Sequence, residues 1–303
     1  MSEGKQGCAK AKKRFGDRKD GRRIRKTDAM HKFMPYLLPG RIANEAVINE
    51  DIPVQSLVDY VAQKNATSPD FKYTVFHAIL AAAAKTIYMR PKMNYFYQGH
   101  RLYERNEISF AFTAKRTFED KSEEALAIFR LNTESDVAPI EQIHEKIARF
   151  INKVRKEDKN DGATDIMDTL TKLPRFLIKF VVAVLNWLDY HGILPTSIAK
   201  DDPYHCTMFA SNLGSIKSTA NYHHLANFGT NSLFMVIGEM KDKITLDKNG
   251  EVKVQKIVPI SMTVDERIAD GFYFAKSFKI LKYLIENPSY LDQPLSSPID
   301  FEV

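Results

Sequence analysis

A chain of 303 residues with 44% hydrophobic residues has enough apolar material for a sizeable core, as one large domain or two small ones. No apolar run reaches the ~18 residues that a membrane span needs, and the basic N-terminus lacks the apolar stretch and cleavage site of a secretory signal, so no membrane partner is expected. The two cysteines, Cys8 and Cys206, cannot build a disulfide framework, which points to a soluble protein in a reducing, cytoplasmic setting.

The net charge of +6 is concentrated at the front, where Met1 to Lys26 holds eleven Lys or Arg against three acids. That excess is larger than the net charge of the whole chain, so the remainder is slightly acidic. Such an arm suits a polyanion, an acidic neighbour or plain solvation. With Phe15 its only aromatic residue, base stacking has little to work with, and nucleic acid is not the expected partner. After the arm, Asn44 to Ile52 alternates as a strand, and Pro53 suits the first turn of a helix bearing Val54, Leu57, Val58 and Val61 on one face. Thr74 predicts an N-cap for a second helix, Val75 to Tyr88, whose alanine run Ala81 to Ala84 allows close approach and which Pro91 ends. Gly99-His100 reads as a hairpin turn between Asn94–Tyr97 and Arg101–Tyr103, and strands follow at Ile108–Thr113 and Ala125–Leu131.

Residues 138 to 155 show helical spacing through Ile140, Ile143, Ile147 and Ile151. Glu157 to Asp165 reads as a charged loop. Phe176 to Leu188 predicts a buried or amphipathic helix, ended by Gly192 and Pro195. Thr207–Leu213 and Leu233–Ile237 read as short buried strands. Asp247-Lys248-Asn249-Gly250 is a hairpin turn into a strand reaching Val264, and the last helix, Phe272 to Ile285, turns Phe274, Phe278, Leu281 and Ile285 to the core before Asn287-Pro288 stops it. Strands and helices mix without strict βαβ alternation, which favours an α+β two-layer sandwich over a doubly wound sheet.

Asp265-Glu266-Arg267-Ile268-Ala269-Asp270-Gly271 resembles the D-H-R-x-x-D-G signature of the dihydrolipoamide acyltransferase core of 2-oxoacid dehydrogenase complexes, and the related H-H-x-x-x-D-G of chloramphenicol acetyltransferase. Phe209-Ala210-Ser211-Asn212-Leu213-Gly214 resembles the same family's F-T-I-S-N-L-G strand. A looser likeness runs from His77 to Phe112 through Pro91 and Met93-Asn94. The resemblance implies a chloramphenicol-acetyltransferase-like fold, a mixed sheet with helices, as a single domain over 31–303 behind a basic arm at 1–30. It further implies a homotrimer that can assemble further, with the active site between subunits, coenzyme A or acyl-CoA as substrate, and a small-molecule or carrier-bound acyl acceptor. No room is seen for lipoyl domains, so no covalent lipoyl group is expected on this chain.

In the family the signature histidine is the base; here Glu266 stands in its place. A glutamate at the ordinary value of about 4.3 is some four units too weak to take a proton from a thiol near 8.5, a handicap of about 5.7 kcal/mol, which burial can reduce. His223 or His224 offers a substitute imidazole with Glu266 orienting it. The alternative is a packing role for the histidines and a non-catalytic scaffold or acyl-CoA-binding relative that has lost its base. Ser211 matches the hydroxyl that steadies the tetrahedral oxyanion, worth about 3 to 4 kcal/mol when preorganised. Asp265, Arg267, Asn212 and Gly214 complete the motifs. Asp270 reads as a structural carboxylate, with Arg41 or Arg267 as partner, and Gly271 as the residue permitting the turn into the last helix. A metal site from His205, Cys206, His223 and His224 fits no common zinc spacing, so none is expected. No Walker or dinucleotide-type glycine loop appears.

Overall fold

The computed structural model describes residues 13–115, 124–157, 170–200, 202–246 and 249–301. Residues 1–12 of the basic arm with Cys8, all but Glu157 of the charged loop to Asp165, and Asp247-Lys248 of the expected hairpin turn lie outside them.

Among the described residues the main sheet has seven strands. They are β2 (Glu45–Pro53), β10 (Val252–Asp265), β8 (Leu233–Ile237), β7 (Met208–Asn212), β5 (Ile108–Lys115) and β6 (Glu124–Leu131) in spatial order, with β9 (Lys241–Leu246) paired to the outer half of β10. The β8–β7 and β7–β5 pairings are parallel and the others antiparallel, so the sheet is mixed, as the resemblance implies. A smaller sheet of β1 (Gly21–Arg23), β4 (Arg101–Arg105) and β3 (Tyr95–Gln98) lies beside it.

Alternation along the strands gives the main sheet two apolar faces. Met208, Ala210, Leu233, Met235, Ile260 and Met262 point into the main core. That core is completed by helices α2 (Gln55–Asn65), α3 (Val75–Met89), α4 (Pro139–Glu157) and α6 (Gly271–Glu286). Helix α3 is central. Thr74 caps it in a box with His77, and Ala81 to Ala84 are at most 1% exposed, because only small side chains fit where neighbours press from every side. Phe209, Phe234, Val236 and Ala111 point to the opposite face and form a second, smaller cluster with Cys206 and Leu225.

Pro53 is the last residue of β2, opposite Ile257, rather than the start of a helix. A strand terminus on a sheet edge tolerates the missing N–H. The helix expected at 176–188 forms as α5 (Arg175–Tyr190), but Asp189 is its only buried residue. The helix-bearing face of the sheet is already filled by α2, α3, α4 and α6, leaving α5 outside that core.

Within the arm, the described residues are tied down by acids. Arg14 Nε meets Asp17 at 3.3 Å, and Arg18 binds Asp20 at 2.8 Å and Asp189 at 2.6 Å. Strand β1 hydrogen-bonds to β4. No helix of the described residues is long and apolar enough to cross a membrane.

Candidate functional site

The signature loop follows β10 directly. Asp265 is fully buried and grips Arg267 with both carboxylate oxygens, Oδ1 to Nε at 2.8 Å and Oδ2 to Nη2 at 2.7 Å. Arg267 also donates to the Leu38 and Pro39 carbonyls. This bidentate, desolvated pair fixes the loop. Glu266, between two buried residues, has its backbone N–H on the Asn44 carbonyl at 2.9 Å and its side chain exposed. Among the described residues its carboxylate has no hydrogen-bond or ion-pair partner.

Asp270 is not the buried mate of Arg41 or Arg267. It is exposed, and its Oδ1 accepts from Tyr273 N at 2.7 Å, capping α6. Arg41 is instead buried against carbonyls of Tyr97, Ala226 and Asn227. Burial pulls its guanidinium down to about 10, against the opposing field of Asp265. Gly271 is not needed for the turn. Its φ is not positive, and a Cβ there would meet nothing within 4 Å. Capping by Asp270 does that work, and the front of the loop, with Phe272 71% exposed, is open.

The second motif ends β7. Ser211 lies on the same face as Phe209, is half-buried, and has no partner for its hydroxyl among the described residues. Asn212 is exposed and ends the strand, its carbonyl accepting from Ser215 Oγ at 2.7 Å. Gly214 has a definite steric reason, since a Cβ there would lie 2.6 Å from the Gly238 carbonyl oxygen.

His223 and His224 lie on the return segment, which crosses the outer face. Leu225 N and Tyr222 OH both donate to Glu45, the register partner of Asp265. His223 is exposed and stacks on Phe234 at 3.9 Å, which stacks on Phe209 at 5.0 Å. Phe234 is the register partner of Phe209, and Ser211 is the next residue of β7 on that face. One strand spacing and two residues of rise put Ser211 roughly 8 Å from Phe234. His223 and Ser211 therefore share a face within one chain. Glu266 does not join them. Ser211 aligns with Val236 and so with Ser261, five residues before Glu266, or about 17 Å along the strand.

His205 and Cys206 stand apart from this arrangement. His205 is buried between Asp202, 2.7 Å from Nδ1, and Asp189, 3.3 Å from Nε2 but misaligned for a hydrogen bond. Burial alone would depress this imidazole. The two carboxylates outweigh it and lift it to about 9, so it is a fixed cation rather than a base. Burial pushes the Cys206 thiol up to about 12, which makes it a poor nucleophile. No group of three or more His, Cys, Asp or Glu among the described residues is placed to hold a metal. A polar cavity of about 200 Å³ opens near the start of β7, lined by Arg18, Arg105, Arg130 and His205, and no signature residue lines it.

Sequence reasoning missed Asn44 and Glu45, which position the signature loop and the histidine segment. Their only sequence signal is their place at the start of an edge strand.

Residues 195–291, holding both motif loops, match the family model described as 2-oxoacid dehydrogenases acyltransferase (catalytic domain). No curated protein sequence matches the chain. Among solved structures the chain is similar to the cubic core of the pyruvate dehydrogenase multienzyme complex, with 14% identity over 88% of this chain and 93% of that one and a TM-score of 0.58. It is also similar to the dihydrolipoamide acetyltransferase of Azotobacter vinelandii, with 15% identity over 88% and 93% and a TM-score of 0.58. A third is chloramphenicol acetyltransferase, with 11% identity over 88% and 99% and a TM-score of 0.51. The Azotobacter structure concerns the role of a serine, a histidine and an asparagine in that enzyme's catalytic mechanism, the last two standing four residues apart. At these identities the likeness establishes the fold, a chloramphenicol-acetyltransferase-like α+β sandwich.

Proposed function

We propose that this chain is a coenzyme-A-dependent acyltransferase, with residues 31–303 as its catalytic domain, acting as a homotrimer whose site forms between subunits. One observation carries the reading. The segment that matches the acyltransferase family holds both motif loops; in the signature loop Glu266 is exposed between buried neighbours, and in the second loop the half-buried Ser211 has no hydroxyl partner among the described residues. Glu266 and Asp270 are four residues apart, as are the histidine and asparagine of the Azotobacter enzyme. The separation of Ser211 from Glu266, about 17 Å along the strand direction, supports a site completed by a second copy.

The base, Glu266 or His223 or His224, takes the proton from the incoming nucleophile. The nucleophile adds to the thioester carbonyl, and Ser211 donates to the oxyanion. Collapse of the adduct expels the thiolate, which takes the proton back from the base. Titrating acetyl-CoA and free coenzyme A into the folded protein by calorimetry tests the reading. Saturable binding near one per subunit, with acyl transfer in an acceptor screen, is expected. No binding to a well-folded oligomer overturns it.

Glu266 itself favours a second reading, an acyl-CoA-binding or scaffold protein of this fold without turnover. Acyl transfer at ordinary enzyme rates by the wild type removes that reading.

A further inference from the structure

Helix α5 is apolar on two opposite sides. Ile178, Val181, Leu185 and Leu188 form one stripe, and all four are half-buried. Phe176, Phe180, Ala183, Trp187 and Tyr190 form the other, about 160° away at 3.6 residues per turn, and all five are exposed. Their intervals of four, three, four and three residues are those of a heptad seam. Such a seam winds onto another helix, and a flat surface does not require it.

The seam is close to self-complementary end for end. Reversed about Ala183, Phe176 falls on Tyr190 and Phe180 falls beside Trp187. The small Ala183 at the midpoint lets two helix backbones close while aromatic rings fill both ends. The cations select the direction. Arg175 and Lys179 lie on one flank of the N-terminal half, and a parallel pair would set Lys179 beside the aliphatic Leu177 or Val184 of the partner's opposite flank, with no attractive contact for the ammonium. An antiparallel pair sets it beside the Trp187 ring, an attractive cation–π geometry.

The area suffices. Phe176, Phe180, Trp187 and Tyr190 are 70%, 66%, 57% and 47% exposed. At about 200 Å² per ring they offer roughly 480 Å² per copy. Two copies thus approach the ~1,000 Å² where specific interfaces begin. The surface extends onto α1 (Ala29–Leu37), because Tyr36 stacks on His100 at 4.7 Å and His100 contacts Tyr190 OH at 3.0 Å.

We infer that α5 pairs antiparallel with α5 of a second copy about a two-fold axis at Ala183. This contact is separate from the sheet face bearing Ser211, and a chain unable to bind coenzyme A would still form it.

Single cysteines in a Cys8→Ser background test it under mild oxidation. Ala183→Cys should cross-link to itself. Phe176→Cys should not, since its copy would lie about 21 Å along the axis, but mixed with Tyr190→Cys it should give a heterodimer. The double variant Phe180→Glu/Trp187→Glu should cut the light-scattering mass at least twofold with its circular dichroism unchanged. Self-linking of Phe176→Cys, silence of Ala183→Cys or an unchanged mass overturns the inference. So does a wild type that stays at the mass of the double variant while sedimenting with equimolar phosphatidylcholine–phosphatidylserine vesicles, which would assign the seam to lipid.

Discussion

Alkaline pH should strip stability from this protein through His205, by an amount the structure sizes. The imidazole rises from 6.5 to about 9 on folding. Its contribution is therefore fully present below pH 6.5 and lost as pH climbs through 9. At about 1.4 kcal/mol per unit, the cluster of His205 with Asp189 and Asp202 contributes about 3 kcal/mol at pH 6. Lys85 acts with the opposite sign. It is fully buried on α3, with Nζ on the Pro294 carbonyl at 3.0 Å, and burial depresses it to about 8. Between pH 8 and 10.5 the unfolded chain holds a proton that the native state lacks, so stability rises there. The slope of the wild type alone therefore misleads, and the comparison that isolates the cluster is wild type against His205→Asn. Urea unfolding at fixed protein concentration should give a gap of about 3 kcal/mol at pH 6 that shrinks below about 1 kcal/mol at pH 10. A gap independent of pH would refute a charged His205.

Replacing Ser211 by Ala should cut acyl-transfer turnover at least tenfold with coenzyme A affinity little changed, since an oxyanion donor acts only in the transition state; equal turnover removes Ser211 from the mechanism. Glu266→His should raise turnover by about tenfold or more if base strength limits the reaction, read in the same assay. Gly214→Ala should cost at least about 2 kcal/mol, because its Cβ would sit 2.6 Å from a backbone oxygen that cannot yield. Gly271→Ala should be neutral or stabilising by up to about 1 kcal/mol. Thermal melts of the two glycine variants check the contrast.

Much of the fold is legible because its signals are local and repeated. The Thr74 cap, the alanine run of α3 and the Phe274–Phe278–Leu281–Ile285 face of α6 all state their environment in side-chain type and spacing. Pro53 misleads because proline suits a helix start and an edge-strand end equally well. For helix α5 periodicity predicts the helix and its apolar faces, not what covers them. At the site, the motifs locate Ser211 and Glu266 but not their separation, since strand register is a property of the whole sheet. Asp270 illustrates the same limit. One carboxylate of the loop had to be buried against arginine, and only the three-dimensional path of β10 assigns that role to Asp265.

The separation of Ser211 from Glu266 makes the choice of base testable without an acceptor-bound structure. His223 shares a face with Ser211 in one chain, whereas in the proposed trimer Glu266 would meet the Ser211 of a neighbouring copy. Variants mixed during refolding then differ in recovery, read as activity above the average of the two parents. Ser211→Ala with Glu266→Gln leaves some interfaces where an intact Ser211 meets an intact Glu266. In a cyclic trimer of randomly mixed subunits this is about one interface in four, so activity should return to roughly a quarter of wild type. Ser211→Ala with His223→Ala should return nothing if His223 serves the Ser211 of its own chain, because every chain then carries one damaged half. Recovery in the first mixture alone, with His223→Ala active by itself, assigns the base to Glu266 across the interface. Failure of the first mixture while Glu266→Gln alone stays active assigns it to the histidine segment and leaves Glu266 as a loop residue.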